Sequence, residues 1–373
     1  MACSNASFDA VVIGEHPSAS LASSLLARRG RDVLHLSRRH AKPLHRLALL
    51  SPSFFSLDKS LSPLRRKLKL SPLHGMTLLG ERADLRGQHL TPAAAAFVVE
   101  TDDFSSALQA HARTAGAATR ACHFASVVAV DESGVRLVVD GKPLLARLLM
   151  LADELDETSA KLLGMPARWP AALERRLTFL GFRAPSSQPS RRTLVVSMDL
   201  VGTSQWAWLL CGKTSWQAAV ESPAADDSAR GVELLARWLD LLRLHGLISD
   251  AKLDVRHAQS VVLPFEGAME RDCVASRTLL LGPAGGFICG SGEELLPCCW
   301  SAVFAAQCAD EALDHPPVQD TLRRYREAWG STLGDYLRGP RNNLRYLLPL
   351  AFRNPVMTRR LAEAVLLGQS VVR

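Results

Sequence analysis

A chain of 373 residues, 47% hydrophobic and 22% charged, carries enough apolar mass for a large core and is long for one domain, natural for two intertwined ones. That balance excludes a disordered or fibrous chain. Eight cysteines scattered from Cys3 to Cys308 without short spacings exclude a disulfide-stapled one and point to a reduced, cytoplasmic protein. A net charge of +7 and a pI near 9.1 favour an acidic partner: nucleic acid, anionic lipid or an acidic substrate.

The N-terminus, MACSNASFDAVVIG, has neither a basic start nor a signal-type apolar core, so no secretory leader is expected. Residues 8–37 read as strand (FDAVVIG), turn, helix (SASLASSLLARRG, closed by Gly30) and second strand (RDVLHLS), a βαβ unit that opens a parallel sheet. Residues 38–75 are basic and broken by Ser-Pro pairs, and read as an irregular insertion. DDFSSALQAHARTAG has helical spacing with Asp102 as N-cap. HFASVVAVDESGVRLVVDGKPLLARLLMLADE then gives three β runs separated by turns. Residues 165–272 alternate strands (TLVVSMDLVG, WAWLLCGK, WQAAVES) with one amphipathic helix, VELLARWLDLLRLHG; PSSQPS at 185–190 reads as a flexible loop. ASRTLLLGPAGG is a buried strand running into a glycine turn, and the chain from about Glu293 is mostly helical. The nearest approach to a membrane span, GFICGSGEELLPCCWSAVFAA, is interrupted by Glu293 and Glu294.

An early and a late strand–loop–helix separated by a mixed β region predict an α/β fold. Residues 8–38, 93–164 and 275–315 form a discontinuous Rossmann-like parallel-sheet domain of the nucleotide-binding type. Residues 39–92 and 165–274 form a β-rich cap, and 316–373 a helical C-terminus.

The side chains with chemical interest are few. Cys298 and Cys299, with Cys289 and Cys308, lack CxxC spacing; adjacent thiols do not readily share one tetrahedral ion, so they read as small buried helix residues and no metal site is expected. Cys122-His123 reads as a strand start, and His257 has no identifiable Ser or Cys partner. Trp206 and Trp208 share one strand face, as core residues or as walls of an apolar cavity. Two basic stretches, Arg38 to Lys69 and the tail from Arg338, account for the pI. In the tail Leu, Tyr and Phe alternate with Arg and Glu363 is the one acid, a pattern that fits either a solvated helix face or docking on an anionic membrane surface. No nucleic-acid-binding module is recognisable, and no nucleic acid is expected as partner.

Four blocks, in order, resemble the two-dinucleotide-binding-domain flavoproteins, of the aromatic hydroxylase and especially the geranylgeranyl reductase type. In FDAVVIGEHPSASLASSLLARRGRDVLHLSRR, Gly14 and Pro17 match the family's glycine loop, His16 and Ala19 stand at its second and third glycines, and Ser37 stands at the acid that holds the adenosine ribose. In VVETDDFSSALQAHA, Phe104 matches and Thr101 sits near the family's arginine. In LLARLLMLADELDETSAKLLG, Ala152 and Asp153 match the alanine–aspartate–glycine signature, whereas Leu151 and Glu154 replace glycines. In RTLLLGPAGGFICGSGEELLPCCWSAVFAAQCADEAL, Gly282, Ala284, Gly286 and Phe287 match the turn that holds the ribityl chain, Pro283 replaces its aspartate, and Ser291-Gly292-Glu293 resembles the later turn. The tail from Tyr325 also resembles the reductase type.

The resemblance implies FAD as cofactor, with Gly14, His16, Pro17, Ser37, Asp153, Gly282, Pro283 and Gly286 along its path and Trp206 and Trp208 in a substrate cavity; it names no catalytic acid or base. The substitutions work against it. A second glycine lets the backbone approach the pyrophosphate, and His16 fills that space. A protonated His16 at the helix N-terminus is the one rescue, as a phosphate partner. Ser37 and Pro283 remove two carboxylates, a loss of about 3–6 kcal/mol, or on the order of a hundred- to ten-thousand-fold in affinity. Two readings stand: an FAD-linked oxidoreductase acting on an apolar substrate, and a non-catalytic descendant that binds a lipophilic or anionic ligand or a protein partner. Either is expected in the cytoplasm, with the basic tail the one feature that would bring it to a membrane surface if it docks there.

Overall fold

The structure is a computed structural model that describes residues 6–38, 46–154, 156–185, 192–200, 205–248, 253–338 and 344–367. The loop expected at 185–190 lies outside these residues apart from Pro185, as does part of the first basic stretch.

FDAVVIG forms the central strand, Ala6–Ile13, of a parallel sheet. Ala10, Val11, Val12 and Ile13 are all buried, the continuous apolar run of a strand covered on both faces. Across the sheet the order is Val274–Ala275, Thr278–Leu280, Lys142–Leu151, Ala6–Ile13, Val33–Arg38 and Ala118–Cys122, parallel throughout except for the first pair. Helices Pro17–Arg28, Thr101–Thr114 and Leu295–Asp314 pack together over it. Strands Ala125–Asp131 and Gly134–Val139 extend the long strand Lys142–Leu151 as antiparallel ribbons. The turn before that strand is Asp140-Gly141, both at positive φ, as a two-residue hairpin loop requires.

The β-rich middle forms a second, seven-stranded sheet in the order Gln259–Pro264, Glu174–Arg183, Ser215–Pro223, Ala207–Cys211, Leu194–Ser197, Gly75–Leu79, Arg86–Leu90. The one parallel pair in it joins Leu194–Ser197 to Gly75–Leu79. Helix Ser228–Leu244 is capped by Asp227, whose carboxylate accepts the Arg230 N–H. It buries Leu234, Leu235, Trp238, Leu239 and Leu242 against one face of this sheet. The opposite face, with Trp206 and Trp208, is covered in part by the tail helices Leu344–Ala351 and Pro355–Leu367. Of the apolar residues between the tail's arginines, Leu348, Leu361 and Val365 turn into that core, while Leu350 and Val356 are exposed. Helix Val318–Leu337 packs instead against Leu295–Asp314, so the helical C-terminus is shared between the two sheets.

Two expectations need correction. The insertion at 38–75, where described, is ordered. Leu47–Leu50 and Ser71–Leu73 flank Ala96–Glu100 in a three-stranded sheet, and Pro52–Ser56, Lys59–Leu61 and Leu64–Lys67 are short helical turns. The Ser-Pro pairs initiate structure here: Ser51 accepts the Ser53 N–H with Pro52 at the first helical position. Phe54 and Leu61 are fully buried, and Phe54 meets Phe104 edge-on at 5.0 Å. Secondly, the helix expected to be capped by Asp102 begins at Thr101, and Asp102 and Asp103 lie in its first turn, where the helix dipole favours them.

Trp238 is the ring on which the cap sheet and its helix close: fully buried, with its indole N–H donating to the Trp208 carbonyl at 2.9 Å. Trp238→Ala is expected to lower unfolding stability by about 3–5 kcal/mol, measured as a shift of the urea midpoint; a shift under about 1 kcal/mol contradicts this assignment.

Candidate functional site

Three loops meet at the C-terminal edge of the parallel sheet, where open α/β sheets form their ligand crevice. Gly14 lies in the first, at φ +146°; a Cβ there would stand 2.8 Å from Ala152 Cβ and 3.2 Å from Asp153 Cγ. Asp153, in the second loop, accepts the Glu15 N–H at 2.9 Å. The third follows Thr278–Leu280, and backbone bonds stitch it to the others: Ala152 N–H to the Ile13 carbonyl, Leu281 N–H to Leu151, Ala284 N–H to Ala152. Ser37 lies half-buried next to the end of the second strand, opposite Ala121. His35, two residues earlier, is buried with Nε2 2.9 Å from the Gly14 carbonyl. It was not singled out from the sequence; a lone histidine in an apolar strand was its only signal.

His16 occupies the N-cap of helix Pro17–Arg28. Its Nδ1 accepts the Ser18 N–H at 3.2 Å and lies 2.8 Å from Ser18 Oγ, while its carbonyl accepts the Ala19 N–H. Because Nδ1 accepts, the proton of the neutral ring sits on Nε2, which is buried with no hydrogen-bond partner. Burial pushes the ring's pKa down to about 4; nearby Glu294 raises it and Arg46 lowers it by less. As the ring is placed here, burial favours the uncharged imidazole at neutral pH. Directly over it lies Gly282, at φ +56°, where a Cβ would overlap Ser18 Oγ. Its N–H is taken by Ser301 Oγ at 2.9 Å, and Pro283 opens the turn Gly282–Gly285.

The residues at this helix end do not fit a pyrophosphate in the pose the flavoprotein resemblance implies. The available N–H groups are capped from within, the glycine turn rests on Ser18, and neither sugar-binding carboxylate is present. Gly286 is used differently as well. At φ +71°, a Cβ on it would come within 2.7 Å of Gly267 Cα, so this turn packs backbone against backbone. Ala268 N–H donates to the Gly286 carbonyl, and Trp169 closes over Gly267 with the Arg271 guanidinium 4.5 Å above its ring.

A small cleft, enclosing about 60 Å³, lies between the cap sheet, the three-stranded sheet and the turn 291–294. Leu49, Leu177, Leu194 and Trp208 are among its apolar walls, and Arg46, Gln217, Glu293 and Glu294 form its polar end. Trp208 borders it and packs on Gly292, where a Cβ would be 3.0 Å from the ring. Trp206, 6.1 Å from Trp208 between ring centroids, is buried behind it in the core shared with the tail helices. Gln217 is fixed by both backbone groups of Leu47, at 2.8 and 3.2 Å. Arg46 pairs with Glu294, and its carbonyl accepts from the N–H and hydroxyl of Thr101, the residue near the family's arginine. Tyr336 donates to Glu293. Burial, and the neighbouring Glu294, push the Glu293 carboxyl up to about 8. Arg46, Gln217 and Tyr336 were not anticipated; the signal for Glu293 and Glu294 was two acids inside the most apolar segment.

The described cysteines are all free and buried. Cys298 donates to the Phe287 carbonyl, burial pushes the Cys298 and Cys299 thiols far up, and no group of residues among those described could hold a metal ion. Among the described residues no helix is long and apolar enough to cross a membrane.

The parallel Rossmann-like sheet, antiparallel cap and helical C-terminus together make the flavoprotein fold. Comparison with solved structures shows the same. A geranylgeranyl bacteriochlorophyll reductase-like protein from Thermoplasma acidophilum superposes with a TM-score of 0.73 at 14% identity, over 94% of this chain and 92% of that one. The flavin-dependent brominase Bmp2 gives 0.71 at 14% identity, over 96% and 93%. PqsL, a probable FAD-dependent monooxygenase from Pseudomonas aeruginosa, gives 0.68 at 15% identity, over 93% and 100%. At such identities the likeness establishes the fold alone. No protein-family model matches the sequence, and no curated protein matches it.

The depressed pKa of His16 makes a stability prediction. Between about 4 and the ordinary histidine value of 6.5 the unfolded chain binds the extra proton, so the contribution is complete above pH 6.5 and is lost as pH falls toward 4. The loss is about 1–3 kcal/mol. His16→Asn keeps an acceptor for the Ser18 N–H and is expected to remove that part of the acid destabilisation. Urea midpoints of both proteins at pH 7 and pH 4.5 measure it, and equal acid losses in the two would refute it.

Proposed function

We propose that this chain keeps the flavoprotein fold without gripping FAD in the usual pose, and that it binds an apolar small molecule in the cleft bordered by Trp208. The observation that carries the first half is the closed contact of His16, Ser18 and Gly282, which leaves the first helix capped by its own side chain. The second half is supported by the cleft's apolar walls and the few polar groups that converge at one end of it.

Purified protein is expected to be colourless and to remain so after incubation with excess FAD and gel filtration, read as absorbance from the near-UV to the blue. The triple variant His16→Gly, Ser37→Glu, Pro283→Asp restores the glycine and both carboxylates. It is expected to bind FAD on the order of a hundred- to ten-thousand-fold more tightly than wild type. Wild type binding FAD as tightly as the triple variant ends the proposal.

A second reading, an FAD-linked oxidoreductase acting on an apolar substrate, is favoured by one observation: Gly14 and Asp153 still hold the first loop at the mouth of the crevice. Protein that purifies yellow, with stoichiometric FAD, decides for it.

A further inference from the structure

The Trp208 cleft is one end of a longer apolar face. Leu177, Leu194, Trp208, Leu210 and Ala219 line it from the cap sheet, and Val365 of the tail helix Pro355–Leu367 borders it. The same face continues as Met76 and Leu78 beneath that helix, which packs on Gly75–Leu79 and Arg86–Leu90. The enclosed space of about 60 Å³ takes a few water molecules and no organic ligand. A ligand therefore enters only if one of the covers over this face gives way. The three-stranded sheet is bonded to the cap: Gln217 holds both backbone groups of Leu47, Ser71 Oγ accepts the Lys213 N–H at 3.0 Å, and the His74 N–H donates to the Arg192 carbonyl at 2.7 Å. Among the described residues, the hydrogen bonds and ion pair of the tail 344–367 instead stay within it. Thr358 Oγ1 donates to the Ala351 carbonyl, Asn354 Oδ1 accepts the Val356 N–H, and Arg359 pairs with Glu363. Its contacts with the cap are packing contacts: Leu348, Leu361 and Val365 in the shared core, Phe352 against Gly80, Thr358 against Gly87.

Resting on the reading of this cleft as an apolar-ligand site, we propose that the full site is the cap face from Trp208 to Met76, that it takes an uncharged apolar molecule, and that the helices Leu344–Ala351 and Pro355–Leu367 are its lid, lifting as one unit. The bond from Thr358 to Ala351 ties the two helices together. Apolar contacts are non-directional, so the lid leaves and returns without stranding a buried donor or acceptor. Opening the three-stranded sheet would strand several, each costly to leave unmade. The lid also defines the ligand. Leu361 and Val365 lie four residues apart on one side of the helix, and a ligand that takes their place must bury comparable apolar surface to offset the contacts it displaces. A charged body would lose its hydration on this face without compensation. Closure has a cost in affinity, because only the open fraction binds.

The test pins the lid in the full chain. A Cβ on Gly87 would stand 3.2 Å from Thr358 Cγ2 and Oγ1, so Gly87→Cys with Thr358→Cys brings two sulfurs within bonding reach. The described native cysteines are buried and do not compete. The probe is N-phenyl-1-naphthylamine, an uncharged apolar dye whose fluorescence rises when it leaves water, titrated into wild type and into the oxidised and reduced forms of the double variant. The oxidised form is expected to bind at least about tenfold more weakly than the same protein reduced. Equal binding in the two forms would overturn the lid and leave the cleft reading standing. No binding by wild type or by the reduced variant would overturn both. Leu361→Ala loosens the lid away from the cleft and is expected to tighten dye binding at least about threefold. Unchanged or weaker binding in that variant also overturns the proposal, and it decides alone should the cysteine pair fail to fold or to cross-link.

Discussion

The contact on which the rest depends is the seating of Gly282 on Ser18 and His16 at the start of the first helix. A helix N-terminus presents unsatisfied N–H groups and a partial positive charge, which is why phosphates gather there. In this chain the imidazole of His16 takes the Ser18 N–H and the His16 carbonyl takes that of Ala19. Pro17 has no N–H to offer. With the donors engaged and the ring neutral, the helix end has little left with which to attract an anion. The glycine turn then settles onto it, and backbone bonds from Leu281 and Ala284 hold it down through Leu151 and Ala152. Prising these loops apart for a phosphate would break main-chain bonds inside the core, each costly to leave unmade.

A second helix start lies close to the first. Glu294 stands at the N-cap of Leu295–Asp314, where its charge is favoured by the helix dipole, and Arg46 pairs with it. Both charges are felt at His16, so the two helix starts share one neighbourhood. An ion pair this buried is weak evidence for stability; removing one partner is costly, about 3–5 kcal/mol, chiefly because the other charge is stranded.

Much of the fold was legible because it rests on short-range patterns. The apolar run of Ala10 to Ile13, the Asp140-Gly141 turn and the stripe from Leu234 to Leu242 each announce their element within a few residues. The Ser-Pro stretch around Ser51 misled because the pair that breaks a long helix also starts a short one. The site was far less legible. His35 finds its partner 21 residues away, Tyr336 reaches Glu293 across 43, and Arg46 reaches Glu294 across 248. No local signal encodes such pairings. What could be read was the anomaly they resolve: a histidine in a glycine's place and two acids in an apolar run.

The matching glycines show why a fold motif is a poor witness to a cofactor. Gly14 is required here because a Cβ would meet Ala152 and Asp153, and Gly286 because a Cβ would meet Gly267. Both constraints are intramolecular and hold whether or not a dinucleotide is ever present. At His16, Ser37 and Pro283 the flavoprotein pattern calls for residues that touch the cofactor, and these are among the positions that differ from it. Where packing and binding call for the same residue, its presence says nothing about binding. Where binding alone calls for it, its replacement does.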